Sequence, residues 1–222
     1  KRAFIEFTKD RDKFHAYPNV DWSKLYSELR PKLDDDREYI GIANLDRDGF
    51  TVKIKEYARS PTSGAKGLYQ AGLDADLISK FLNKPALFIF HTHTTDSDIP
   101  PSSPDLSMSI QYGFYYMYAA DLVVSKHGVH AMTVSNAVVA ALSAIRAKDF
   151  DRGERMIRNY KYKVIAANEA ETCWRTHRIR DIYDFYRRHG LVSLNYPSPE
   201  FVADAYTTFG EPRPGYAIDT DL

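Results

Sequence analysis

Ala86-Leu87-Phe88-Ile89-Phe90-His91-Thr92-His93 is the stretch whose reading decides the fold of this chain. Five apolar residues in a row predict a buried strand. Side chains alternate along a strand, so His91 and His93 point to the same face, at or just past its end. Asp105 follows twelve positions after His93, in Ser102-Ser103-Pro104-Asp105. That segment predicts a helix start. Ser103 can cap, Pro104 fits the first helical position, and Asp105 falls in the first turn, where the helix dipole favours a carboxylate. Leu106, Ile110, Phe114 and Met117 then recur at helical spacing.

Two imidazoles and one carboxylate, held by a strand and a helix start, can bind a metal ion and leave a fourth place for water. That arrangement is typical of catalytic rather than structural zinc sites. Zinc accepts imidazole nitrogen and carboxylate oxygen at roughly 2.0–2.2 Å and lowers the pKa of its water toward about 7. The expected cofactor is therefore one Zn2+ per chain, on His91, His93 and Asp105. Hydrolysis at such a site also needs a base and a donor to a developing oxyanion. Ser102 is placed for the donor. Glu38, opening the strand Glu38-Tyr39-Ile40-Gly41-Ile42, is the favoured base, and Glu56 is its competitor. Gly41 is expected to let another backbone or a substrate approach closely. Asp96 and Asp98 read as loop charges. His127, His130, His177 and His189 show no second metal pattern and read as structural or exposed.

Outward from this centre, Glu38 to Leu45 predicts a strand. Asp48-Gly49 predicts a tight turn and Phe50 to Tyr57 the return strand of a hairpin. Residues 58–72 read as a loop, and Leu73 to Leu82 as a helix. Leu122 to Ser125 and Val129 to Val134 predict a second hairpin around Lys126-His127-Gly128. Near the start, Asp21 to Leu29 predicts a short helix capped by Asp21 and stopped by Pro31. After Ser135 the pattern turns helical: Ala137 to Arg146, then Arg152 to about Arg188, closed by Gly190. The arginines at 175, 178, 180, 187 and 188, with Asp181 and Asp184 interleaved, read as a salt-bridged exposed face. Residues 191–222, with Pro197, Pro199, Pro212 and Pro214, read as an extended arm. The expected organisation is an N-terminal extension (1–35), an α/β core (36–134), a helical extension (135–190) and the arm (191–222).

Composition bounds the partners. The 222 residues carry 30 basic and 30 acidic side chains, so the chain lacks the basic field of a general nucleic-acid binder. Sixteen tyrosines and twelve phenylalanines read mainly as core and boundary residues, with interfaces as their further use. Cys173 is the single cysteine, which rules out an internal disulfide or a thiolate cluster. No apolar run approaches the roughly 20 residues of a membrane helix, and Lys1-Arg2-Ala3-Phe4 lacks the apolar stretch of a signal peptide. The expected location is intracellular, cytoplasmic or nuclear, and not secreted.

Glu-x-x-Gly on an early strand, His-x-His at the end of a core strand and Ser-x-x-Asp opening a helix together resemble the JAMM/MPN metalloprotease family. The order of elements over residues 36–134 resembles it too. The resemblance implies an α/β fold with a mixed sheet of the cytidine-deaminase-like kind, flanked by helices. It implies Glu38 as general base, His91, His93 and Asp105 as zinc ligands, and Ser102 as the residue that steadies the oxyanion. It also implies hydrolysis of amide or isopeptide bonds in protein or peptide substrates, ubiquitin-like conjugates among them. Thr94 stands where the family commonly has proline, and the spacing from His93 to Asp105 is about one residue longer. Three alternatives stay open: a JAMM-like assembly component docked into a larger complex by the C-terminal arm, a small-molecule hydrolase, and an unrelated metal hydrolase.

Overall fold

The computed structural model describes residues 20–61, 75–94, 101, 103–116, 118–170 and 191–200. Outside the described residues lie Ser102, Asp96, Asp98, Met117, the basic run from 175 to 188, Gly190, most of the 58–72 loop, and the arm beyond residue 200. The elements are α1 (Ser23–Leu29), β1 (Tyr39–Leu45), β2 (Val52–Arg59), α2 (Ala75–Leu82), β3 (Phe88–Thr92), α3 (Ser103–Tyr115), β4 (Ala120–Ser125), β5 (Gly128–Val134), α4 (Asn136–Lys148), α5 (Phe150–Ala170) and β6 (Leu191–Pro197).

Six strands form one mixed sheet in the order β2-β1-β3-β4-β5-β6. Only β3 and β4 run parallel, because α3 carries the chain over between them; the other neighbours are antiparallel. The expected mixed α/β architecture is therefore present. Its first hairpin forms as the Asp48-Gly49 signal predicts. The Asp48 carboxylate accepts the backbone N–H groups of Phe50 and Thr51, both at 2.9 Å, and Gly49 takes φ 81°. At the second hairpin Gly128 has φ 128°, and a Cβ there would lie 1.8 Å from the Tyr196 carbonyl oxygen. No larger residue fits that turn.

Alternation along the strands divides the core. Ala43, Phe88, Phe90, Leu122, Val124, Val129 and Ala131 face α1, whose Leu25, Tyr26 and Leu29, with Trp22 just ahead of the helix, join them in one buried cluster. Ile40, Ile42 and Ile89 face the other way, onto Leu77 and Phe81 of α2 and Tyr112 of α3. Val123, Met132 and Val134 share that second face and pack on Leu106 and Ile110 of α3. The helical stripe expected on α3 is thus the one that meets the sheet.

Four local readings change. Asp21 acts one residue ahead of a cap, accepting the Ser23 backbone N–H at 2.9 Å. Pro31 does not stop the chain's helical path: it sits early in a 3-10 turn, Arg30–Lys32, where it needs no N–H partner. The helix bearing Asp105 begins at Ser103, one residue sooner than expected. Residues 191–197 are not an extended arm. They form β6 and pair along the whole of β5 from Gly128 to Val134, so the edge of the sheet comes from a segment read as a tail. Pro197 ends the strand opposite Gly128, and the backbone N–H of the next residue, Ser198, still bonds the His127 carbonyl at 2.9 Å. Among the described residues no helix is long and apolar enough to cross a membrane.

Candidate metal centre

β3 and α3 build the centre. His91 lies within β3, and His93 one residue past its end, its N–H held by the Val124 carbonyl at 2.8 Å. Both side chains leave the sheet on the α3 face, where Asp105 stands in the first turn of that helix. All three are buried, at 6%, 7% and 8% exposure. His91 Nε2 lies 3.0 Å from Asp105 Oδ1, and His93 Nε2 lies 3.3 Å from Oδ2. The two Nε2 atoms are 3.3 Å apart. Among the described residues this is the group of His, Cys, Asp and Glu whose ligand atoms converge, within 4.8 Å of one another.

These separations fit an ion. Four ligands at roughly 2.0–2.1 Å in a tetrahedron put neighbouring ligand atoms about 3.3 Å apart. The observed separations, 3.0–3.3 Å, are of that order, with His91 and His93 facing different oxygens of the Asp105 carboxylate. The local field fits as well. Burial is the largest single influence on His91 and disfavours its cation. Asp105, by charge and hydrogen bond, with Asp121 and Glu38 adding, together outweigh it and raise His91 to about 9. His93 is likewise raised, burial again opposing and Asp105 prevailing. Asp105 moves the other way: burial would raise it, but the two imidazoles hold it well below the carboxylate range. A pocket that draws protons onto two buried imidazoles is one that attracts positive charge.

Glu38 immediately precedes β1. Ile40 is paired with His91, so continuing that antiparallel register places Glu38 opposite His93, on the same face as the ligands. The Tyr39 N–H bonds Thr92 Oγ1 at 2.9 Å, and the Ser60 N–H bonds the Glu38 carbonyl at 2.7 Å, which pins this end of the strand. Glu38 is part-buried. Desolvation lifts its carboxyl above the usual range, while His91 and His93 pull it back. The competitor Glu56 is elsewhere: it is exposed and paired to Lys84 at 2.5 Å. Ser102, the expected oxyanion donor, lies outside the described residues.

Gly41 serves packing, not substrate. A Cβ there would lie 2.4 Å from the Glu56 carbonyl oxygen and 2.6 Å from the Phe90 ring. It faces away from the metal centre, so the close approach it allows is that of its own sheet and core. Two further polar residues on the ligand face are buried: His130, among the histidines that read as structural or exposed, and Asp121, which the sequence reading leaves out. His130, opposite Val123, is buried, and burial pushes it down to about 3. Asp121, in Ala120-Asp121-Leu122-Val123-Val124, is 1% exposed. A carboxylate inside an otherwise apolar strand is a signal the sequence did contain.

Fold and site together define a mixed α/β protein with a buried His–His–Asp group that could hold a metal ion. Over 207 residues, 90% of its length, the chain is 25% identical to "Uncharacterized protein F317L" of African swine fever virus, Badajoz strain. Identity to the protein of that name in the Pretoriuskop tick isolate is 24%. The chain spans 63% of the length of these relatives. No family model matches it.

Proposed function

We propose that this chain is a zinc-dependent hydrolase of amide or isopeptide bonds, of JAMM type, acting on protein or peptide conjugates. One observation carries the reading: two imidazole nitrogens and a carboxylate converge in a buried site, 3.0–3.3 Å from one another, with a part-buried glutamate on the same sheet face. His91, His93 and Asp105 would hold the metal. Bound zinc supplies Lewis acidity and makes water acidic near neutral pH.

The chain's own groups do the rest. Glu38 takes a proton from the attacking water and returns it to the leaving amine. Its carboxyl, which burial raises above the usual carboxylate range, is suited to both halves of that transfer. The burial of the three ligands keeps bulk water from competing for them and strengthens every charge interaction inside the site.

The test pairs elemental analysis with one substitution. Purified protein should carry about one zinc per chain. Glu38→Gln should retain that zinc and lose roughly 10²–10⁴-fold in cleavage of an isopeptide-linked ubiquitin-like or peptide conjugate. Zinc-loaded wild type that cleaves no such conjugate, or a Glu38→Gln protein as active as wild type, would falsify the reading.

A further inference from the structure

Asp121 is costly where it stands. Burying a carboxylate opposes folding unless partners compensate. Its Oδ2 accepts the Ser109 hydroxyl at 3.0 Å. Its Oδ1 accepts no hydrogen bond from the described residues. Ser109 is itself 2% exposed. Stability alone does not account for a carboxylate between Ala120 and Leu122, where an apolar residue would pack without that cost.

Position accounts for it better. Ser109 follows Asp105 by four residues on α3, so the two side chains share one helix face, a turn apart. Asp121 precedes Val123, the partner of His91, by two residues on β4, and so shares the face that carries His91. The Ser109–Asp121 bond therefore ties the helix turn next to one ligand to the strand beside β3, which positions the other two. Ligands from separate elements give a tight site only if the elements are fixed to within a few tenths of an ångström.

We propose that Ser109 and Asp121 form a positioning pair that locks α3 against the sheet, so that Asp105 meets His91 and His93 at bonding distance. This rests on the metal reading above. The experiment measures zinc affinity by chelator competition and the visible spectrum of the cobalt(II)-loaded protein. It uses wild type, Ser109→Ala, Asp121→Ala, the double variant and Asp121→Asn, with metal-free melting temperatures alongside. Each alanine variant should bind zinc about 10–100-fold more weakly and show altered cobalt bands. The double variant should be no worse than the weaker single one, because one bond is lost in each case. Asp121→Asn keeps an oxygen for the Ser109 hydroxyl and should restore the wild-type cobalt spectrum, even if Asp121→Ala does not fold. Two results would overturn the pair while leaving the metal reading intact. One is variants that melt lower yet match wild type in zinc affinity and cobalt spectrum. The other is a double variant whose losses add. Wild type that takes up neither zinc nor cobalt would overturn both.

Discussion

The two faces of the sheet are built from alternate residues of the same strands and are chemically unlike. Toward α1, Phe88, Phe90, Leu122, Val124 and Ala131 meet Trp22, Leu25 and Leu29 in an unbroken apolar layer. Toward α3, His91, Asp121 and His130 are just as deeply buried. The first face is what a fold needs. The second buries groups whose desolvation opposes folding and whose mutual attraction at best repays it. The difference separates residues whose burial favours folding from residues whose burial opposes it.

The sharpest way to break that comparison is to injure each face once. Phe90→Ala should lower stability by about 3–5 kcal/mol in urea denaturation, through lost burial and a residual cavity. Zinc affinity of the folded variant should be unchanged. Asp105→Asn should abolish zinc uptake, and with it any rise in melting temperature on adding zinc. Its metal-free stability should change by only about 1–2 kcal/mol, because His91 and His93 can shed protons once their counter-charge is gone. A folded Phe90→Ala protein that lost zinc as completely as Asp105→Asn would mean that the faces are not separable.

Acid provides the next contrast. His130 is buried, and its pKa is depressed to about 3. The unfolded chain takes up its proton near pH 6.5, so the stability this group contributes is present above 6.5 and is lost as pH falls toward 3. Between pH 7 and pH 4 the loss from this one residue is about 3 kcal/mol. His91 moves the opposite way: raised to about 9, it contributes fully below 6.5 in the metal-free protein and loses that contribution as pH rises through 9. Measuring the stability of wild type against His130→Gln across pH isolates the first effect. The wild type should lose its advantage on acidification, and a gap independent of pH would show that His130 is not held neutral.

The legibility of the chain follows the same division. Strands β1, β3, β4 and β5 were readable because their apolar runs and turn residues reflect local physics. The His91, His93 and Asp105 group was readable because the two histidines share one strand period and Asp105 sits in a helix-start pattern, so all three fall within one short stretch that carries local signals. What escaped depended on pairing at a distance. β6 reads as tail until β5 is there to receive it, since prolines speak about the chain locally and not about a ladder. Gly41 advertises a close approach but not its direction, and only the fold reveals that Phe90 and the β2 backbone fill it. Asp121 escapes because the apolar run that marks the strand begins at Leu122, one residue past the carboxylate.

The smallest expected effect is also the cleanest control. Glu38 and Glu56 are the same side chain, one just ahead of β1 and the other on β2, and each is a candidate base. Glu38 sits part-buried facing two histidines, where burial holds its carboxyl high. Glu56 lies on the outer strand with its charge answered by Lys84, both partners well exposed. An exposed ion pair is worth about 0–1 kcal/mol, since water and salt screen it and two long side chains lose freedom to form it. Glu56→Gln should therefore shift the urea midpoint barely at all, leave zinc content at the wild-type level and leave the rate of conjugate cleavage within about twofold, while Glu38→Gln loses at least about 10²-fold. Should Glu56→Gln be the variant that loses activity, the proton-transfer role would belong to the sheet's outer edge, and burial on the α3 face would no longer mark the catalytic carboxylate.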